Sequence, residues 1–351
     1  MMRNILLLSG LSGFGYSLPH AAPVGAYQLT KSYTADNFLD SFEFYEGKDK
    51  FGSGNAQYLS KDNAQSAGLA KIQDGKVYLG ADSTNVVGDA NAGRPSIRLT
   101  SVDAWNGGLL VADFEHFPAK GCGMWPAFWT LHENAEPWVY NEIDIVEATS
   151  LATKNAVTVF TQETCEMADQ GSSPAPGSPI RTSCGGILPE DVQSGTSGKG
   201  CTVESAPGTF GESSNDQGAG VWAMQVDGAQ MRAWYFPRAQ VPADLQERGT
   251  PNPDGWANPI MNFAATNCDL KSAFTNMNII ININFCGGYT TSGWQGYADG
   301  TYNNCAASTG YGAGDSSGAQ APYCEAFVRE HPEAFTETYF LINSVRMFER
   351  S

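Results

Sequence analysis

Histidine is scarce in this chain, with four among 351 residues, and none of the eight cysteines belongs to a C-x-x-C pair. Zinc sites need close clusters of exactly those ligands, so neither a metal nor any other cofactor is expected. Basic residues are also few: 20 lysines and arginines stand against 37 aspartates and glutamates, a formal net charge of −17. A surface of that sign repels nucleic acid and acidic polysaccharide, and no basic patch is present to hold a phosphate backbone. A neutral partner is compatible with it. No apolar run reaches the 18 residues of a membrane-spanning helix. Phosphate-cradling glycine motifs and Asn-x-Ser/Thr sequons are missing too, and helical periodicity is rare.

What remains has a clear organisation. The chain starts Met1-Met2-Arg3, continues through Ile5-Leu6-Leu7-Leu8 and reaches Pro19-His20-Ala21-Ala22. A basic start, a short apolar stretch and small residues at a cut site read as a secretory signal peptide over residues 1–22. The cysteines, at 122, 165, 184, 201, 268, 286, 305 and 324, all follow it and suit an oxidising compartment with up to four disulfides. Eight cysteines allow 105 pairings, and sequence does not choose among them. Segments rich in Val, Ile, Phe, Tyr and Trp recur between Gly, Asn, Asp and Ser clusters, at 76–79, 96–101, 108–114, 142–147, 156–161, 220–226, 231–236, 278–284 and 340–348. This is the pattern of an all-β sandwich. No linker or internal repeat divides the chain, so residues 23–351 are expected to form one domain, secreted and monomeric. Residues 162–220 and 292–320 read as long loops, either walls of a cleft or passive insertions. A short helix is expected within 321–335, limited by Pro322 and Pro332.

Chemistry concentrates in Glu142-Ile143-Asp144-Ile145-Val146-Glu147. Three carboxylates alternate with β-branched residues, the material of a strand with one buried face. Glu142 and Asp144 share a face of an ideal strand, whereas Glu147 has the wrong parity. One β-bulge between Asp144 and Glu147 would bring all three to one surface. Glu142 and Glu147 would then stand about 13 Å apart at Cα, and two inward-leaning side chains could approach the roughly 5–5.5 Å of a retaining glycosidase. Asp144 between them would share a proton or hydrogen bond with one. Crowded like charges raise the pKa of at least one carboxyl, which is what a general acid requires. Taken alone, the pattern describes an acid-decorated surface strand more readily than a catalytic one.

Its context favours catalysis. Gly121-Cys122-Gly123-Met124-Trp125-Pro126-Ala127-Phe128-Trp129 lies just upstream, and Trp138 follows. Indole faces stack on sugar rings, so Trp125, Trp129 and Trp138 are candidate saccharide contacts, with at least one expected to serve only as core.

With these motifs the chain resembles fungal glycoside hydrolase family 16, of the laminarinase type. Gly93-Arg94-Pro95-Ser96-Ile97-Arg98, Asn278-Ile279-Ile280-Ile281-Asn282-Ile283-Asn284-Phe285-Cys286-Gly287 and Ile342-Asn343-Ser344-Val345-Arg346-Met347-Phe348 extend the similarity over most of the sequence from about Tyr27. The resemblance implies a two-sheet antiparallel β-jelly-roll, concanavalin A-like, with a retaining mechanism on 1,3- or mixed-linked β-glucan. It makes Glu142 the nucleophile, Asp144 the assisting acid and Glu147 the acid/base. Arg94 and Trp125 match sugar-contacting positions, and Tyr289 falls where relatives carry a cleft tryptophan. The pattern departs at Asn141 and Ala148, where relatives have glycine, and at Phe160-Thr161, where they show His-Thr. The acids themselves are intact, so the departures bear on substrate choice. A transglycosylase using the same acids and a non-catalytic glucan-binding protein are the other readings.

Overall fold

The computed structural model describes residues 25–49, 53–133, 139–187, 200–246, 249–296, 304–315 and 320–350. The signal segment 1–22 and Trp138 lie outside them. The expected class holds: two antiparallel sheets pack face to face as a jelly-roll sandwich. One is nine-stranded and runs, in spatial order, Met167–Asp169, Met261–Ala265, Gln230–Pro237, Gly220–Asp227, Gly108–His116, Tyr339–Arg350, Lys76–Gly80 and Ala70–Gln73, with Tyr27–Tyr33 also pairing with Tyr339–Arg350. The other is seven-stranded: Cys201–Glu204, Ala156–Phe160, Glu142–Glu147, Met124–Leu131, Met277–Phe285, Arg98–Trp105 and Phe42–Phe44. A three-stranded sheet of Gly47–Lys48, Ala56–Tyr58 and Arg94–Ser96 is added at the side, and its last two strands pair in parallel.

Alternation along each strand explains the layering. Trp222 and Met224 enter the central core while Val221 and Ala223, one residue out of phase, face the other way and pack with Trp234, Leu109 and Phe348. On the second sheet, Ile143, Val157, Val159, Ile279, Ile281 and Ile283 fill the same central core. Each such side chain contributes about 1.5–3 kcal/mol when fully buried. The out-of-phase residues of this sheet, among them Ala127, Trp129, Leu131, Phe160 and Ile280, form a separate apolar patch on its outer face. The functional site stands on that face.

The eight cysteines pair as Cys122–Cys305, Cys165–Cys268, Cys184–Cys201 and Cys286–Cys324. Two of these bonds tie down the 162–220 region. That region is not featureless: it supplies the strands Met167–Asp169 and Cys201–Glu204 and the helix Gly211–Asn215, and its Ile187 is fully buried in the outer-face patch. The other two bonds fasten the helices Cys305–Thr309 and Ala321–Glu330 to the ends of Met124–Leu131 and Met277–Phe285. The expected C-terminal helix has Pro322 in its first turn, where no N–H is missed, and gives way to a 3-10 turn over Pro332–Phe335.

Candidate active site

The strand Glu142–Glu147 lies between Met124–Leu131 and Ala156–Phe160 in the seven-stranded sheet. Leu131 pairs with Glu142 and Trp129 with Asp144, but Phe128 pairs with Val146. Ile145 is therefore the extra residue of a β-bulge. Ile143, Ile145 and Val146 all enter the core, while Glu142, Asp144 and Glu147 are turned to the outer face. The bulge inferred from parity thus sits where it is needed. Its loose backbone groups are satisfied by one side chain: Asn155 Oδ1 accepts from the Glu147 N–H at 2.8 Å, and Asn155 Nδ2 donates to the Ile145 carbonyl at 2.9 Å. Asn155 is fully buried, and its own N–H donates to Ser205 Oγ and Thr209 Oγ1. Without this residue the widened ladder would leave buried polar groups unpaired.

Each acid has a distinct environment. Trp125 Nε1 donates to Glu147 Oε1 at 2.7 Å. The Tyr140 hydroxyl donates to Glu142 Oε2 at 2.8 Å. Asp144 is almost wholly buried and shares a hydrogen bond with Glu142. Burial pushes all three carboxyls up, Glu147 to about 7, Asp144 well above the ordinary range and Glu142 above its own. Opposing this at Glu142 are the Tyr140 hydroxyl, the positive charge of Arg98 and the bond from Asp144, while the charge of Glu147 adds to the rise. At Asp144 both neighbouring carboxylates add to burial, and the bond to Glu142 raises it further. The cluster titrates as a unit. Its favoured arrangement places a proton on Asp144, which donates to an anionic Glu142.

The sequence-derived binding residues divide. Trp125 is partly exposed and makes an edge contact with Tyr289, centroids 5.7 Å apart at 84°, so these two rings and Glu147 come together. Trp129 stands opposite Asp144 but is 7% exposed; its Nε1 donates to Asn282 Oδ1 at 2.7 Å and the Arg98 guanidinium covers its ring at 5.0 Å. It is part of the apolar patch on the outer face. Arg94 requires a correction. Its guanidinium is fully buried, donating to the carbonyls of Asp82, Asn85, Val328 and Arg329 and lying over Phe335. A sugar hydroxyl has no access to it. The chain leaves the small sheet after Ser96 and joins the seven-stranded one at Arg98, which puts the motif's second arginine beneath the acids and hydrogen-bonds it to Glu133 at 3.0 Å.

The sequence pattern does not single out Tyr140, Asn155 or Arg98. Tyr140 was detectable only as an aromatic two residues before an acid, and Asn155 carried no signal. The departing residues are structural. Asn141 bridges the Gln162 N–H and the Ala273 carbonyl, Ala148 is buried, and Phe160 pairs directly across the ladder with Glu142. His116 is a satisfied structural residue, bonded to the Tyr339 carbonyl and Glu337 and stacked on Tyr339.

A bulged acidic strand on the open face of a jelly roll, with indole beside carboxylate, defines a glycoside hydrolase. A family model described as "XgeA-like, catalytic GH16 domain" matches residues 42–348, and the chain belongs to glycoside hydrolase family 16. Among curated relatives, a probable glycosidase of Schizosaccharomyces pombe is 33% identical over 92% of this chain and 69% of its own length. The endo-1,3(4)-β-glucanase xgeA of Emericella nidulans is 31% identical over 99% of this chain. The chain spans about half the length of that protein and of a probable endo-1,3(4)-β-glucanase of Aspergillus fumigatus, at 51% and 50%. Among solved structures, an elongating family 16 β-1,3-glucosyltransferase is 31% identical with a TM-score of 0.77, over 92% of this chain and all of the other. Laminarinase 16A of Phanerochaete chrysosporium, holding 6-O-glucosyl-laminaritriose in donor and acceptor sites, is 29% identical with a TM-score of 0.73 at the same coverage.

Proposed function

We propose that this chain is a secreted, retaining endo-β-glucanase acting on 1,3- or mixed 1,3/1,4-linked glucan. The observation that carries the reading is the bulge at Ile145, which aligns three carboxyls on one face and gives each a different partner. The hydrogen bonds from Tyr140 and Asp144 oppose the rise that burial gives Glu142 and favour its anionic form, which attacks C1 of the sugar. Glu147, raised by burial so that it keeps its proton in mildly acidic solution, protonates the departing glycosidic oxygen. Glu147 then takes the proton from a water that attacks C1 from the same side, releasing Glu142 and retaining the anomeric configuration. Trp125, bonded to Glu147, and Tyr289 beside it are candidate sugar contacts, and Trp129 belongs to the apolar patch of the same face. The names of the curated relatives support the glucan class. Secretion is supported by the residues 1–22 pattern and by four disulfides, which persist in oxidising compartments.

A panel of glucans with defined 1,3-, 1,4- and 1,6-linkages, scored for reducing ends, tests the substrate class. Hydrolysis of 1,3- or mixed-linked glucan with retained configuration, abolished by Glu142→Gln, is expected. Inverted product, or full activity in that variant, would sink the mechanism. Transglycosylation is a second reading, favoured by the similarity to the elongating glucosyltransferase. The same covalent intermediate passes its sugar to a second glucan instead of water. Products longer than the starting oligosaccharide identify it.

A further inference from the structure

We propose that Tyr140 is a positioning residue for the nucleophile: it donates to Oε2 of Glu142, fixes the carboxylate's orientation and supplies a donor that the facing strand does not. This rests on the reading of Glu142 as nucleophile. The geometry is built from several independent pieces. Tyr140 is 5% exposed, and its hydroxyl reaches Glu142 Oε2 at 2.8 Å. Its backbone N–H is fixed by Gln162 Oε1 at 3.0 Å, and the Gln162 N–H is in turn held by Asn141 Oδ1. The ring leans on Phe160, centroids 6.3 Å apart. Phe160 is itself seated against Gly200, where an added Cβ would come within 2.5 Å of the ring.

Phe160 is the residue paired with Glu142 across the ladder, so that side presents hydrocarbon where an imidazole would present an N–H. A half-buried carboxylate beside a phenyl ring gains from a donor elsewhere, and the phenol two residues upstream provides one. The titratable and charged groups around Glu142 are Tyr140, Asp144, Glu147 and Arg98, the last paired with Glu133. Tyr140 keeps its proton throughout, since burial and the neighbouring carboxylates push its pKa well up. It therefore acts as a fixed donor and not as a proton carrier. In the step it supports, a carboxylate oxygen of Glu142 forms a bond to C1, the bond from C1 to the leaving oxygen breaks with its electron pair, and the Tyr140 proton stays in place.

The test is the rate at which an activated 2-deoxy-2-fluoro-β-laminaribioside covalently labels Glu142, followed by intact-mass and peptide-mass measurement across pH. The activated leaving group needs no acid, so the readout isolates the nucleophile. Tyr140→Phe should slow labelling between about tenfold and a hundredfold, the range of a charge-assisted hydrogen bond. Its acidic limb should move to higher pH, because the anion has lost a donor. Tyr140→Leu, which also removes the ring, should be at least as slow. If Tyr140→Phe labels at the wild-type rate with an unmoved acidic limb while Tyr140→Leu fails, Tyr140 only packs and the proposal is overturned. If the wild type itself does not label at Glu142, the assignment of the nucleophile fails instead.

Discussion

The indole of Trp125 and the carboxyl of Glu147 are joined by a 2.7 Å hydrogen bond, so the candidate sugar platform and the candidate general acid move as one. Burial raises the pKa of Glu147 and the indole N–H, which favours its charged form, holds it down, the balance lying at about 7. Trp125→Phe should therefore let Glu147 hold its proton to higher pH. The basic limb of kcat/KM is expected to move up by about one unit, with KM for glucan raised by loss of the larger ring. An unmoved limb would show that the indole serves only as a surface.

Asn155 is expected to be as important as residues that touch sugar. Asn155→Ala removes both bonds that hold the bulge and leaves the Ile145 carbonyl and Glu147 N–H unpaired. A loss of about 2–4 kcal/mol in chemical denaturation is expected. Displacing Glu147 should also reduce kcat by about 10²-fold, as small misplacements of a reacting group do. Wild-type kcat in a folded Asn155→Ala variant would contradict this account of the bulge.

The site costs stability at neutral pH. The folded-state pKa of Glu147 is raised from 4.5 to about 7, so its contribution is fully present below the unfolded value of about 4.3 and is lost as pH rises through the folded value. Glu147→Gln removes that loss. Its Tm should exceed the wild type's at pH 7.5–8 by an amount equivalent to at most about 3.5 kcal/mol, and the gap should close towards pH 4. Paired thermal melts at the two pH values decide it. The same variant should lose about 10²–10⁴-fold in glucan hydrolysis, while an activated aryl glycoside is cleaved with a smaller loss.

Arg94 should behave as a structural residue. Arg94→Ala strips donors from four carbonyls and is expected to destabilise by upwards of about 3 kcal/mol. Arg94→Lys should recover little, because one ammonium cannot replace the planar fork. The folded fraction of Arg94→Lys should keep wild-type KM. A raised KM without destabilisation would restore the sugar-contact role.

The acidic strand was legible because parity is a strict rule. Apolar Ile143 and Val146 have to face the core, so Glu147 can join the other acids only through an extra residue, and Ile145 is that residue. The strands rich in Ile, Val and Trp were legible for the same reason. Arg94 and Arg98 were not separable, since four residues apart they share parity. Only the break between two sheets, after Ser96, sends one beneath the C-terminal helix and the other beneath the acids. Trp129 could be placed near the cleft, but its covering by Arg98 and Asn282 depends on strands distant in sequence. The disulfide pairings were hidden for the same reason. Asn155 was invisible because its work is done on backbone groups that exist only once the bulge has formed.

Tyr27 pairs with Arg350 at the meeting of the first and last strands of the nine-stranded sheet. Both strands belong to the layer that does not carry the acids. A linker, reporter or display anchor grafted at either end would therefore leave from neighbouring points on that layer. Joining those ends and reopening the chain at a surface turn is a natural design for circular permutation, with the acidic strand and its bulge left uncut.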